Sequence, residues 1–197
     1  MTATSISAIC LLGIYIASFF IKQLILKRKN KIKVMTFGAP NKPKKTMATE
    51  LFVMLASYGF FIVFFLNALL PNVIVFAILI NNLAVNIIGN VLMLKGTLFF
   101  ILSIIAMRTS WRVGIDYQTK TQLITTGIYK LSRNPAFLGF DLLFIGAALA
   151  FGSILSISLG LLSVVALHCL ILQEEKFLET TFGQEYLDYK CKTRRYF

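Results

Sequence analysis

ILSISLGLLSVVALHCLIL, residues 154–172, runs without one charged side chain and is followed at once by Gln173, Glu174, Glu175 and Lys176. About 20 apolar residues in a helix cover the roughly 30 Å hydrocarbon core of a bilayer, where helical pairing keeps the backbone amides satisfied. The stretch therefore reads as a membrane crossing with an acidic end. Just before it, 137–151 is a second apolar run, and Gly152 with Ser153 supplies a turn, so the two predict a tight helical hairpin. Outward from there, 6–26, 48–70 and 90–108 predict three further crossings, the second closed by Pro71 and Asn72. Residues 73–89 are expected as an outer hairpin arm or re-entrant piece, because 73–107 is too long for one pass and too short for two. The result is an all-α integral membrane bundle of about five transmembrane helices.

Composition supports this reading. The 197 residues are 57% hydrophobic and 14% charged, with a mean hydropathy of +0.78, which excludes an ordinary soluble domain and a disordered chain. Lys plus Arg number 20 against 8 Asp plus Glu, a net +12. In an apolar chain such an excess points to the cytoplasmic rim of a membrane and its anionic lipids, with no nucleic acid implied. The basic residues gather in 27–45, 108–133 and 176–195, which are alternate loops of a five-pass topology. The N-terminus is thus expected outside and the C-terminus in the cytoplasm. Cys10, Cys169 and Cys191 have no CxxC spacing, and His168 has no partner at ligand spacing, so neither a disulfide framework nor a metal site is expected.

Polar residues collect in two places near the basic end. One is the loop WRVGIDYQTKTQLITTGIYKLSRNP, 111–135; the other is Glu174 and Glu175 with FLETTFGQEYLDYK after Lys176. Adjacent carboxylates at a membrane edge are costly unless solvated or paired. They either open a surface amphipathic helix, with Phe177, Leu178, Phe182 and Tyr186 on the lipid interface, or mark a functional site. Pro135 starts the fourth crossing, Asn134 is expected to cap it, and Arg133 meets phosphate or a bound carboxylate at that helix end. His168 reads as a packed or hydrogen-bonded side chain, the Asn81–Asn90 series as interhelical bonding, and Asp141 as cavity-lining or snorkelling.

Together the two clusters resemble the isoprenylcysteine carboxyl methyltransferase and phospholipid methyltransferase family of integral membrane enzymes. The matching strings are L-I-T-T-G-I-Y-K-x-S-R-N-P-A-F-L-G from Leu123 to Gly139 and E-E-x-x-L-x-x-x-F-G-x-E-Y-x-x-Y from Glu174 to Tyr189. The first 90 residues match only as generic spans; the chain is expected to divide into transmembrane helices with the basic loop 27–45 over 1–107 and a cofactor-binding and catalytic half over 108–197. The resemblance implies methyl transfer from S-adenosylmethionine to a lipophilic small-molecule or lipid acceptor. It implies cofactor contacts at Thr121, Gln122, Leu123, Ile124, Tyr129, Asn134, Pro135, Ala136, Phe137 and Glu174, with Arg133 and Glu175 as catalytic candidates. A carboxylate such as Glu174 suits the cofactor's cation, and Arg133 with nearby amides suits its carboxylate. Glu175 is the candidate for positioning or deprotonating the acceptor.

Departures from the family pattern limit what is carried over. The family's R-H-P-x-Y is here Arg133-Asn134-Pro135-Ala136-Phe137, which loses an imidazole and a phenol. The Arg that holds a prenylcysteine carboxylate in the carboxyl methyltransferases is replaced by Leu170, which disfavours that acceptor. Two other readings compete: a nicotinamide-dependent sterol or isoprenoid reductase of similar fold, and a catalytically silent lipid-binding protein.

Overall fold

The computed structural model describes residues 3–40, 42–70, 78–119 and 121–196. Its helices are α1 (Ala3–Asn30), α2 (Lys44–Leu69), α3 (Leu83–Ala106), α4 (Pro135–Phe151), α5 (Ile154–Phe182) and α6 (Gln184–Lys192), with a 3-10 turn at Gly127–Lys130. Among the described residues β pairing is limited to isolated bridges. α1, α2, α3 and α5 are each long and apolar enough to cross a membrane, and α4 is a shorter apolar helix of 17 residues. The chain is a helical membrane bundle.

Several boundaries differ from the sequence reading. α3 begins at Leu83 rather than at 90, because the Asn82 side chain accepts from the amides of Ala84 and Val85 at 2.9 and 3.3 Å and caps the helix there. Residues 83–89 thus belong to the crossing and not to an outer arm; 73–77 lie outside the described residues. Residues 79 and 80 pair instead with the α4–α5 turn, both amides donating to the Gly152 carbonyl at 2.8 and 3.1 Å. Gly152 holds φ +62°, and a Cβ on it would lie 2.1 Å from the Ile80 oxygen, so only glycine fits. α1 runs on to Asn30, and α5 continues as one helix to Phe182, carrying Glu174 and Glu175 in its interior.

α3 and α4 approach backbone to backbone. Glycines two turns apart sit on facing stripes, Gly89 against Gly146 and Gly96 against Gly139, where a Cβ would lie 2.5 to 2.8 Å from the opposing carbonyl. That antiparallel pair forms the back of the bundle. α1 leans on α3, where Tyr15 stacks on Phe100 at 4.3 Å, and α2 leans on α5, where Asn67 donates to Ser156 at 2.9 Å. Phe60 of α2 meets Phe144 of α4 edge-on at 4.7 Å. α1 and α2 touch each other only sparsely. Near the start of α1, Ser7 bonds Asn90 of α3 at 2.7 Å, one interhelical bond of the kind expected for the asparagine series.

Candidate active site

At the basic end two connecting segments cross above the gap between α1 and α2. The Thr36 amide donates to the Val113 carbonyl, and the Val113 amide to the Val34 carbonyl, each at 3.0 Å, which ties the 31–43 segment to the loop after α3. Glu50, 1% exposed in α2, anchors both. Its carboxylate receives Lys42 Nζ at 2.6 Å, the Gly38 amide at 3.2 Å and the Ile115 amide at 3.1 Å. A carboxylate buried without such partners is costly, and these three donors satisfy it. Arg112 is engaged within the same roof, bonding Asp116 at 3.0 Å and the Thr109 carbonyl at 2.8 Å. Burial alone would raise the Asp116 carboxyl. The Thr119 hydroxyl, the amides of Gln118 and Thr119, and Arg112 together hold it below its ordinary range.

The opposite wall is built by the 127–134 turn, the end of α5, α6 and the residues after it. Glu175, 3% exposed, takes Arg133 Nη2 at 3.0 Å and Asn134 Nδ2 at 3.0 Å on one oxygen, and Arg195 Nη2 at 2.9 Å on the other. The Arg133 amide donates to the Arg194 carbonyl and the Ser132 hydroxyl to the Arg195 carbonyl, both at 2.9 Å. Tyr189 donates to the Tyr129 carbonyl at 2.6 Å. Tyr196 reaches His168 Nδ1 at 2.7 Å, so His168 is the hydrogen-bonded side chain its sequence context suggested. Segment 193–196 is a strap that fixes the turn against α5.

Between roof and wall lies a cavity of about 540 Å³. Of the candidate residues, Thr121, Gln122, Leu123, Ile124, Tyr129, Arg133, Asn134, Ala136, Phe137 and Glu174 line it. Pro135 and Glu175 do not. Pro135 is buried as the first residue of α4, and the Glu175 carboxylate is consumed by its three partners. Asn134 precedes α4 without capping it by its side chain, which is turned toward α5 and donates through Nδ2 to Glu175. Phe177, Leu178, Phe182 and Tyr186 line the cavity, which corrects the lipid-interface reading of that stretch. Asp141 is buried behind the cavity, neither lining it nor snorkelling, as it is only 7% exposed.

The first half of the chain contributes more than generic spans. Tyr15 and Phe19 of α1, Val53 and Phe61 of α2, and Phe37 of the roof all line the cavity. Their signal in the sequence is weak: aromatic residues four apart within an apolar helix look the same whether they meet lipid, core or ligand. Leu170, 2% exposed, stands in the wall and brings no charge to it.

The cavity's charges are unequally compensated. Both lining arginines are paired, Arg112 with Asp116 and Arg133 with Glu175. Glu174 makes none of the ion pairs among the described residues. Burial, with the nearby Glu174 carboxylate and Tyr189 adding to it, pushes the Tyr129 phenol far above its ordinary range. Tyr129 is therefore a neutral phenol beside an uncompensated carboxylate, in a wall that is otherwise mostly aromatic and aliphatic. Such a site accepts a cation with an apolar body.

Against known families, the phospholipid methyltransferase model matches residues 84–185, just over half of the chain, from the start of α3 into α6. No curated protein matches the chain.

Proposed function

The chain belongs to the phospholipid methyltransferase family, and we propose that it moves the methyl group of S-adenosylmethionine to the amine of a membrane lipid. The observation that carries this reading is the uncompensated Glu174 in the cavity wall, facing the loop that precedes α4. The residues present fit the donor. Glu174 suits its cationic amino group, and the amides of Ala136 and Phe137 in the first turn of α4 suit its carboxylate. Tyr129 and Phe137 offer aromatic faces to a sulfonium or a purine. When bound, the donor supplies an electrophilic methyl group on sulfur.

An amine acceptor attacks through a neutral nitrogen lone pair. On transfer the nitrogen would gain the methyl group as the sulfur leaves as the neutral thioether of S-adenosylhomocysteine, and the amine's proton would pass to water at the basic end, where Gln122 is exposed. The apolar wall around Leu167, Leu170 and Phe140 excludes water from that line. Glu175 is a positioning residue in this account, because its carboxylate holds Arg133 and Asn134 in place and has no oxygen free for the acceptor. A lipid acid is the poorer acceptor, since neither cavity arginine is free to bind it. The basic end, with exposed Lys27, Arg28, Lys29 and Lys31, faces the cytoplasm and its anionic lipids. The test is calorimetric titration of purified protein with S-adenosylmethionine, followed by transfer of labelled methyl to phosphatidylethanolamine. Saturable binding with label in the lipid supports the reading, and heat traces identical to buffer reject it.

A further inference from the structure

Among the described residues, the charged side chains that line the cavity are Arg112, Asp116, Arg133 and Glu174. The first three are held in ion pairs, and the functional reading above gives the fourth to the donor's cationic amino group. None of them is left for the acceptor nitrogen. What remains for it is aromatic. Phe19 of α1, Phe37 of the roof, Phe61 of α2 and Phe140 of α4 are half-buried and line the cavity from four separate segments. Phe140 follows Phe137 by three residues on one face of α4, a rise of about 4.5 Å, so this lining begins beside the donor's end of that helix.

The four rings are fixed by their neighbours. Phe19 meets Trp111 edge-on at 5.3 Å, Phe140 meets Tyr15 and Phe100 edge-on at 5.2 and 5.3 Å, and Phe61 stands 6.0 Å from Phe144. Phe37 lies against Gly114, where a Cβ would come within 2.4 Å of its ring. Rings held in this way lose little freedom when a ligand arrives. Phenyl faces attract a cation and pack well on methyl groups, but they accept N–H hydrogen bonds only weakly. A neutral primary amine carries two N–H groups into such a lining, a secondary amine one and a tertiary amine none, and each N–H without a partner is costly.

We propose that Phe19, Phe37, Phe61 and Phe140 form the subsite for the acceptor nitrogen, and that this subsite selects amines already bearing methyl groups. The proposal rests on the functional reading above and refines its acceptor class. In the favoured transfer a tertiary amine's lone pair forms the N–C bond as the C–S electron pair leaves on sulfur. No proton is lost, and the positive charge passes from sulfur to a quaternary nitrogen that the rings surround.

The full-length protein is reconstituted into phosphatidylglycerol vesicles containing phosphatidylethanolamine, its monomethyl derivative or its dimethyl derivative, with labelled S-adenosylmethionine. kcat/KM is expected to rise about fivefold or more from the unmethylated to the dimethyl acceptor. In Phe140→Leu and Phe19→Leu, which keep apolar bulk and remove the ring, that ratio should fall by about half or more. The intrinsic reactivities of the three amines are the same whichever protein is assayed, and general damage to the fold lowers all three rates alike, so the change in ratio reports the rings. Calorimetric binding of S-adenosylmethionine on the same samples shows that each variant is folded. A ratio near one in the wild type, or a ratio unchanged in both variants, overturns the subsite while leaving the methyl transfer standing. Transfer to none of the three acceptors is a different result, which sinks the functional reading and the subsite with it.

Discussion

Glu174 and Glu175 are chain neighbours with opposite surroundings: Glu175 is held by Arg133 at 3.0 Å and Arg195 at 2.9 Å, while Glu174 faces the cavity outside every ion pair of the described residues. The division follows from the helix. Successive residues in α5 point about 100° apart, so one carboxylate meets the strap and the other the cavity. One glutamate builds the wall and the other lines the cavity without an ion-pair partner among the described residues.

Removing the structural member should cost the fold. Glu175→Ala leaves the nearly buried Arg133 guanidinium without its anion, and breaking such a pair costs about 3 kcal/mol or more. Arg195→Ala should cost less, because that side chain is 34% exposed and solvent screens the loss. Thermal unfolding in detergent checks the order, with Glu175→Ala melting well below Arg195→Ala. Equal melting temperatures would contradict the clamp.

The roof rests on a second buried pair. Lys42→Met strands the Glu50 carboxylate, whose remaining partners are two amides, and should loosen 34–38 and 111–116 together. Hydrogen exchange followed by mass spectrometry should show faster exchange in both segments, with the α3–α4 pair unchanged. Acceleration in one segment alone would mean that Glu50 does not couple them.

The back of the bundle depends on absent side chains. Gly96→Leu would drive atoms into the Gly139 carbonyl and Leu143 amide, which lie 2.6 and 2.9 Å from a bare Cβ. Loss of folded protein is expected in size-exclusion chromatography. Gly13→Ala in α1, with nothing within 4 Å, should keep or slightly raise stability through helix propensity of about 1 kcal/mol.

Much of this was legible in the sequence and some was not, for physical reasons. Apolar runs fixed by bilayer thickness located the crossings, and the Leu123–Gly139 and Glu174–Tyr189 strings located the cavity wall opposite the roof. The start of α3 was misplaced because asparagines at 81, 82, 86 and 90 look alike until the Asn82 cap is seen. Asn134 has the side chain of a helix cap, yet it makes no capping bond and instead turns its Nδ2 to a buried carboxylate 41 residues away. The paired glycines of α3 and α4 were visible as spacing, yet their meaning needs two helices at once. Glu50 is one acidic residue near the start of an apolar run, and nothing local says that it holds two distant loops.

Alkaline pH offers a separate check on the wall. Burial raises the phenols of Tyr129 and Tyr189 above the ordinary value near 10, so above pH ~10 the unfolded chain releases protons that the folded chain retains. Stability should therefore fall as pH rises past 10. Tyr189→Phe loses the bond to the Tyr129 carbonyl, about 1 kcal/mol at neutral pH, but also loses one such phenol. Its deficit in melting temperature should shrink between pH 8 and 10.5, and a constant or growing deficit would count against a buried Tyr189 phenol.

The most direct measurement is the affinity of wild-type protein and Glu174→Gln for S-adenosylmethionine by calorimetry, with helix content monitored in parallel. The account predicts saturable binding by the wild type and a loss of at least tenfold in the variant, at unchanged helix content, because the amide is isosteric but uncharged. Equal affinity in both proteins, or no binding by either, would contradict it.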